Sequence, residues 1–393
     1  MRVNMKASSS DPALGLGPKL GDPFDILRLI RSRRVGPATF HRLIAEHGTA
    51  AAALGALPGV ARAAGMTDYS PCPPSVIKTE LTAGRRAGAR LVTWGCADYP
   101  VALRDIPDAP PVLWIKGDPA ILSRPLLAMV GARNASSLGL RMARHLAAEL
   151  GGAGIGIVAG LARGIDTAAH LAALQTGTIA VMAGGIDVIY PSENAALAEA
   201  IGKTGLLISE QPPGVAPVAR HFPARNRIIS GISRAVVVVE AAFRSGSLIT
   251  ARNALDQGRE VMAVPGHPLD ARAAGCNGLI RDGGLLVRNA GDVLTCLGLL
   301  PAASGPVSSH RTTSSTCEDR AASASDPVVQ PDPIPRPDEL ETRILRMLGP
   351  HPVDENCLLR DLGVTAAALA PAMLALELSG QVRRLAGGTV ARI

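Results

Sequence analysis

The residues of this 393-residue chain best equipped for chemistry are glycine amides, serine hydroxyls and arginine guanidinium groups gathered into five short turns. The first turn, Gly131-Ala132-Arg133-Asn134-Ala135-Ser136-Ser137, ends the apolar run 126–130 and opens a helical pattern. A helix that starts behind a strand offers unpaired N–H groups and the positive end of its dipole to an anion. Gly131 permits close backbone approach, and Arg133 adds a planar fork of donors that matches phosphate. Ser136 or Ser137 can equally serve as a plain helix cap. The second turn, Gly160-Leu161-Ala162-Arg163-Gly164-Ile165-Asp166, repeats the form with Arg163 as its phosphate donor. Asp166 and His170 lie four apart and so share a helix face. With no third ligand nearby, the preferred reading makes Asp166 an N-cap and His170 a buried, hydrogen-bonded imidazole rather than a metal or acid–base pair.

The third turn runs from Gly184-Gly185 to Tyr190-Pro191-Ser192-Glu193-Asn194, where Tyr190 can stack on a base or simply pack. The fourth, from Arg220 to Gly231, carries Arg220, Arg225, Asn226 and Arg227 beside His221 and Phe222. It reads either as a phosphodiester clamp or as a salt-bridged basic turn. Arg225 and Arg227 are two apart and cannot share one helical face, so at most one points the same way as Arg220. The fifth turn, Phe243-Arg244-Ser245-Gly246-Ser247, follows the strongest apolar run in the chain, 236–239, and again precedes a helical pattern.

What must position these turns is a parallel sheet. Between residues 90 and 300 short apolar runs alternate with amphipathic segments, the pattern of an α/β core. The runs 91–94, 112–115, 126–130, 156–159, 178–182, 206–209, 235–240 and 260–264 are expected strands, with 285–287 as a further edge strand. Helices are expected between them, for example over 137–150 and 167–175. In open parallel sheets ligands bind outside the carboxyl ends of the strands, so all five turns should gather along one rim. Their common chemistry suits phosphates. The carboxylates Asp187, Glu193, Glu210 and Glu240 are scattered, with no paired acid–base spacing.

Around this core the reading places a loose tail over 1–20, a helical domain over 21–89, a flexible linker over 301–337 and a small domain over 338–393. The helical domain has two hairpin-like breaks, Val35-Gly36-Pro37 and Leu57-Pro58-Gly59-Val60, followed by a Pro-rich connection over 66–74 and a helix over 75–89. It resembles helix–hairpin–helix or SAM-like modules, although a plain helical packing unit fits better. The linker is rich in Ser, Thr, Ala, Pro and Asp, a composition that cannot bury a core. Beyond it, helical stretches near 339–348, 354–361 and 365–379, then Gln381–Ile393 as a two-stranded wing, make a winged-helix pattern. The third of these helices has no Lys or Arg, which a major-groove reader needs. Arg383, Arg384 and Arg392 of the wing can touch a nucleic-acid backbone, and a protein-contact or regulatory role suits this domain better than base reading.

Composition sets outer bounds. Apolar residues form 47% of the chain and aromatics 2%, so the core should be aliphatic. Lys and Arg number 40 against 33 Asp and Glu, a net charge of +7 that favours polyanionic partners or is merely that of a basic soluble protein. The six cysteines, Cys72, Cys96, Cys276, Cys296, Cys317 and Cys357, occur singly, which argues against zinc or redox motifs and for a reducing compartment. The N-terminus lacks an apolar signal region and the chain lacks a spanning run, so a cytoplasmic protein without membrane contact is expected.

The ordered motifs VGARNASSLG, AGLARGIDTAAH, AGGIDVIYPSEN, SEQPPG, HFPARNRIISG, EAAFRSGSLITARNALDQGR and VPG resemble the DprA/Smf family of DNA-processing proteins, as does the earlier Asp98-Tyr99-Pro100 to Gly117 stretch. The match runs over about residues 98–290. The terminal modules resemble the family's helical N-terminal and winged-helix C-terminal domains. The resemblance implies an extended Rossmann-type parallel sheet core that binds and protects single-stranded DNA. It also implies loading of the RecA recombinase in recombination and natural transformation, a homodimer with its interface in the later part of the core, no catalysis and no cofactor. Family DNA contacts carry over to Gly131, Arg133 and Ser137, to Arg163, to Arg220, Arg225, Asn226 and Arg227, and to Ser245, Gly246 and Ser247. Family members carry a basic residue after the Tyr-Pro pair; this chain has Ser192, which weakens the third turn as a phosphate contact. The competing enzymatic reading is a nucleotide-hydrolysing phosphoribohydrolase. Such enzymes carry a PGGxGTxxE signature, and the corresponding turn here, Arg244 to Thr250, lacks its glutamate. A dinucleotide oxidoreductase is disfavoured because Gly131-Ala132-Arg133 lacks the second glycine of GxGxxG.

Overall fold

The computed structural model describes residues 20–299, 337–348, 353–385 and 389–392. The expected tail, save Leu20, and the expected linker, save Pro337, lie outside them. The chain divides into two compact units, Met1–Leu300 and Pro301–Ile393.

The first unit opens with α1 (Pro23–Ile30), α2 (Pro37–His47), α3 (Ala50–Ala63) and α4 (Pro74–Arg86). Asp22 caps α1 by accepting from the Phe24 amide at 2.8 Å, and Pro23 and Pro37 sit where a helix needs no N–H. Val35-Gly36-Pro37 does form a break between helices. Leu57-Pro58-Gly59-Val60 does not, because α3 runs through it. Pro58 removes one helical hydrogen bond. Ala50, Ala53, Leu54, Leu57 and Ala61 all bury one stripe at helical spacing, and that burial outweighs the lost bond.

The core is a sheet of β1 (Arg90–Thr93), β2 (Val112–Gly117), β3 (Leu126–Val130), β4 (Gly156–Ala159), β5 (Thr178–Met182), β6 (Leu206–Ser209), β7 (Ala235–Val238), β8 (Glu260–Ala263) and β9 (Leu285–Leu286). Their order is β1-β2-β6-β5-β4-β3-β7-β8-β9. From β6 to β9 every pairing is parallel; β2 runs antiparallel to both β6 and β1, which the sequence reading did not foresee. The remaining helices of the unit are α5 (Val101–Arg104), α6 (Ser137–Gly152), α7 (Ile165–Ala172), α8 (Ala195–Thr204), α9 (His221–Ile232), α10 (Ser247–Asp256), α11 (Ala274–Arg281) and α12 (Ala290–Cys296).

Side chains alternate along a strand, and both faces of this sheet are covered. Ala128, Val130, Val158, Val236 and Val238 pack against Ile228, Ile229 and Ile232 of α9 and Ala251 and Ala254 of α10. Leu127, Met129, Ile157, Ala235 and Val237 pack the other way, against Leu146 and Leu150 of α6 and Ala168 and Ala169 of α7. The core is mostly aliphatic, with Phe40, Tyr99 and Trp114 as its fully buried rings. The chain leaves β3 toward β4 on one side and reaches β7 on the other. The crevice above β3 and β7 is therefore a topological switch point.

The second unit holds α13 (Pro337–Met347), β10 (Val353–Asp354), α14 (Glu355–Leu362), α15 (Ala366–Leu378), β11 (Val382–Leu385) and β12 (Thr389–Arg392). Its strands pair antiparallel in the order β10-β12-β11, and Leu340, Ile344, Leu358, Leu369, Met373 and Val390 share a small core. This is a winged-helix domain, as the sequence pattern indicates. No helix among the described residues is long and apolar enough to cross a membrane.

Candidate nucleic-acid interface

A cavity of about 690 Å³ lies over the switch point, lined by the first turn, the start of α9, the fifth turn and Arg272 from the segment after β8. Gly131, Arg133, Arg225, Asn226, Ser245, Gly246 and Ser247, all expected from sequence, line it. Arg163 stands beside it with Tyr190 and Pro191, around a smaller hollow that shares Arg133, Phe222 and Arg225. Arg244 and Arg272 also line the main cavity, though the sequence reading did not select them. Asp166 is the one lining carboxylate. Arg272 is itself paired with Asp270 at 3.3 Å and lies 3.8 Å from Glu240. The guanidinium groups of Arg133, Arg225, Arg244 and Arg272 still outnumber these neighbouring carboxylates, and the field favours an anion.

The turns differ in how their own amides are satisfied. At the first, the Glu240 carboxylate sits on the N-terminus of α6. The Ser136 amide donates to it at 3.1 Å and the Ser136 hydroxyl at 2.6 Å. Ser136 also caps the helix, accepting from the Gly139 amide at 3.0 Å. The Ala132 amide donates to the Glu240 backbone carbonyl at 2.6 Å. The anion expected at this helix start is therefore the protein's own. Ser137 is buried in the first turn of α6 and does not line the cavity. Arg133 remains exposed, its guanidinium 5.4 Å from the ring centre of Phe222, which in turn meets Tyr190 edge-on at 5.6 Å.

The second turn is filled as well. Asp166 accepts from the Gly160 amide at 2.9 Å and the Ala162 amide at 3.3 Å. It is not the N-cap expected from sequence; that position belongs to Gly164, whose φ of 75° favours glycine. A side chain there would also lie 2.2 Å from the carbonyl oxygen of Ala132, so the first two turns interlock through this glycine. His170 is fully buried and hydrogen-bonded, as expected. Thr178 gives its hydroxyl hydrogen to the Ile157 carbonyl, so the imidazole donates from Nδ1 to Thr178 and accepts at Nε2 from the Leu161 amide. Burial, with Arg225 nearby, pushes this imidazole down to about 3. Burial raises Asp166 above the ordinary carboxylate range, against the pull of Arg225.

The fifth turn is different. Gly246, the N-cap of α10, has no side chain to fill the site. The Ser245 amide donates to the Ala242 carbonyl at 3.0 Å, the Ser247 amide lies 3.4 Å from the Ser245 hydroxyl, and the Ser245 and Ser247 hydroxyls meet each other at 2.7 Å. Among the described residues no carboxylate is hydrogen-bonded to this turn. Asn226 approaches it, its amide nitrogen 3.5 Å from the Gly246 carbonyl.

The fourth turn divides. Arg225 points to the cavity floor but is only 7% exposed, with Nη1 donating to the Val181 carbonyl at 2.6 Å. Gly160 makes room for it, since a methyl group there would overlap the guanidinium at 1.7 Å from Nη1. Burial lowers this guanidinium to about 10, with Asp166 opposing, so it stays charged at neutral pH. Arg227 does not belong to the clamp proposed from sequence. It turns away from the cavity, buried, with Nη2 2.8 Å from Glu210 and Nε 2.9 Å from Asp108. Arg220 is exposed at the N-cap of α9 and lines neither hollow. Arg163 is paired at the surface with Glu193.

The family model described as DNA recombination-mediator protein A matches residues 90–298. A DprA-like N-terminal HHH domain matches 21–83 and a DprA winged helix domain matches 328–388. The DNA processing protein DprA of Streptococcus pneumoniae is 48% identical over 198 residues, covering 50% of this chain and 70% of the relative. The X-ray structure of the Streptococcus pneumoniae protein aligns with TM-score 0.53 and 42% identity, over 57% of this chain and 82% of that one. A structure addressing the single-stranded DNA binding mode of Helicobacter pylori DNA processing protein A aligns with TM-score 0.50 and 29% identity, over 54% of this chain and 97% of that one.

Proposed function

The chain belongs to the DprA family of DNA recombination-mediator proteins, and from that premise we propose that it binds single-stranded DNA at the switch-point cavity without cleaving it. The observation that carries this reading is the cavity's lining of arginines, serine hydroxyls and one helix start to which no carboxylate of the described residues is bonded, with its carboxylate Asp166 buried and committed to backbone amides. Arg133, Arg244, Arg272 and the Ser245-Gly246-Ser247 turn contact phosphates in this reading, with Gly131 admitting the backbone and Arg163 and Arg220 extending the basic track. Arg225 holds positive charge beneath them. Tyr190, 53% exposed beside Phe222, offers a base a stacking face. Phosphate contacts carry no sequence information, so binding is nearly sequence-blind.

The family's role as a recombination mediator supports loading of RecA onto the bound strand, in recombination and DNA uptake in the cytoplasm. Leu269, 87% exposed, and Leu285 and Leu286 on the outermost strand β9 support a homodimer through the later part of the core.

Titration of labelled oligothymidine against duplex at two salt concentrations tests the reading. Single strand should bind more tightly, with affinity falling steeply as salt rises. Arg133→Ala should weaken binding about tenfold and reduce the salt slope by about 0.7, one phosphate on a single strand. Equal binding of duplex, or no effect of Arg133→Ala on affinity and slope, would remove it. Release of free base from nucleoside monophosphates would favour the hydrolase instead.

A further inference from the structure

The first two turns of α9 deliver Phe222, Arg225 and Asn226 to the cavity, yet they bury no large apolar side chain apart from the half-buried Phe222. Their fully buried residues are Arg225 and Arg227; the apolar anchors Ile228, Ile229 and Ile232 come only afterwards. An amphipathic stripe, which normally sets a helix's roll, is missing just where the roll matters. Arg227 stands in that place. Two positions from Arg225 and so about 200° around the helix, it is clamped between Glu210 at 2.8 Å and Asp108 at 2.9 Å. Glu210 is itself 15% exposed and sits directly after β6. Its backbone carbonyl accepts from Arg31 at 3.3 Å, and Arg31 is held by Glu80, which also accepts from the Trp114 indole at 3.1 Å. A buried polar ladder therefore runs from the N-terminal helices to the back of α9.

We propose that Arg227 is a positioning residue for nucleic-acid binding, setting the roll of α9 through Glu210 rather than touching the strand. The proposal rests on the reading of the cavity as a single-strand site. A buried, fully paired guanidinium releases no counterions when a strand binds, whereas a phosphate contact does. Affinity and salt dependence therefore separate the two roles.

The test uses the full chain, labelled oligothymidine and a salt series, on Arg227→Gln, Glu210→Gln and the double variant. Glu210→Gln keeps the acceptor oxygen and the shape, so it serves if Arg227→Gln does not fold; the double variant leaves no buried charge unpaired. Arg227→Gln should weaken binding about tenfold with the salt slope of the wild type. Glu210→Gln should weaken it less, and the double variant should be no weaker than the Arg227→Gln protein, because the two residues act as one unit. Folded variants with wild-type affinity, a slope shallower by about 0.7 as for a lost phosphate contact, or strictly additive losses would each overturn the assignment. Failure of the wild-type chain to bind single strand would instead strike the reading it rests on, so the two failures are told apart.

Discussion

The turns after β4 and after β7 are built from the same sequence grammar, an apolar strand, a glycine and a helix start, and the protein treats them in opposite ways. At Gly160, Leu161 and Ala162 the amides are taken by Asp166 and His170, both buried. At Ser245–Ser247 no carboxylate arrives, and the helix start faces the cavity. The turn after β3 sides with the first, its helix start occupied by Glu240. A helix N-terminus is an anion site only if the fold has not already supplied the anion. The two filled turns are scaffold and hold Arg133 and Arg163 at the rim; in the proposed reading the turn without a carboxylate is the one left for the strand.

The contrast breaks most visibly in acid. His170 holds the second turn as a neutral imidazole, with a folded value near 3 against 6.5 when unfolded. The unfolded state then takes the proton first. The contribution of His170 is present above pH 6.5 and is lost as pH falls toward 3, at about 1.4 kcal/mol per pH unit. The raised Asp166 acts with the opposite sign above its ordinary 3.8. Comparing denaturant midpoints of wild type and His170→Asn at pH 7 and pH 5 cancels that effect. The wild type should lose more stability than the variant between the two; parallel losses would mean that the imidazole does not support this turn.

A smaller effect is expected at Glu240. Glu240→Ala orphans the Ser136 amide and hydroxyl and should lower stability by about 1–3 kcal/mol. The same change opens the α6 N-terminus and removes a negative charge near the cavity, so single-strand affinity should rise about twofold to fivefold. A stable variant with weaker binding would show that Glu240 is not merely a stand-in anion. The least effect belongs to the open turn. Ser245→Ala with Ser247→Ala should reduce single-strand affinity about threefold, each neutral hydrogen bond being worth about 1 kcal/mol or less, with unfolding midpoints unchanged. A stability loss without an affinity loss would make this turn a scaffold like the others.

Much of the fold could be read in advance because strands buried on both faces appear as uninterrupted apolar runs. Leu126–Val130, Gly156–Ala159, Thr178–Met182 and Leu206–Ser209 coincide with the expected segments. Strand direction was less legible: Val112–Gly117 looks like its neighbours, and only its pairing reveals it as antiparallel. Pro58-Gly59 signals a break locally, but the stripe through Leu54, Leu57 and Ala61 overrides it. At the site, the turns themselves were visible and their occupancy was not. Glu240 lies 104 residues from the Ser136 it satisfies, beyond any local pattern. One available signal was its position, a carboxylate closing the strongest apolar run at the carboxyl rim. Helical spacing separates Arg225 from Arg227, but does not tell which of them faces the cavity; that depends on Glu210 and Asp108, on other elements. Arg272 was overlooked because it follows β8 through a segment without a glycine–serine turn.

Backbone amide hydrogen exchange with and without oligothymidine tests the central claim most directly. The strand should slow exchange within 244–250, most at Gly246 and Ser247, and leave Ser136, Gly139 and 160–162 as they were, since those last amides are already engaged by side chains. Protection at the filled turns with none at 244–250, or protection confined to the winged-helix domain, would contradict it.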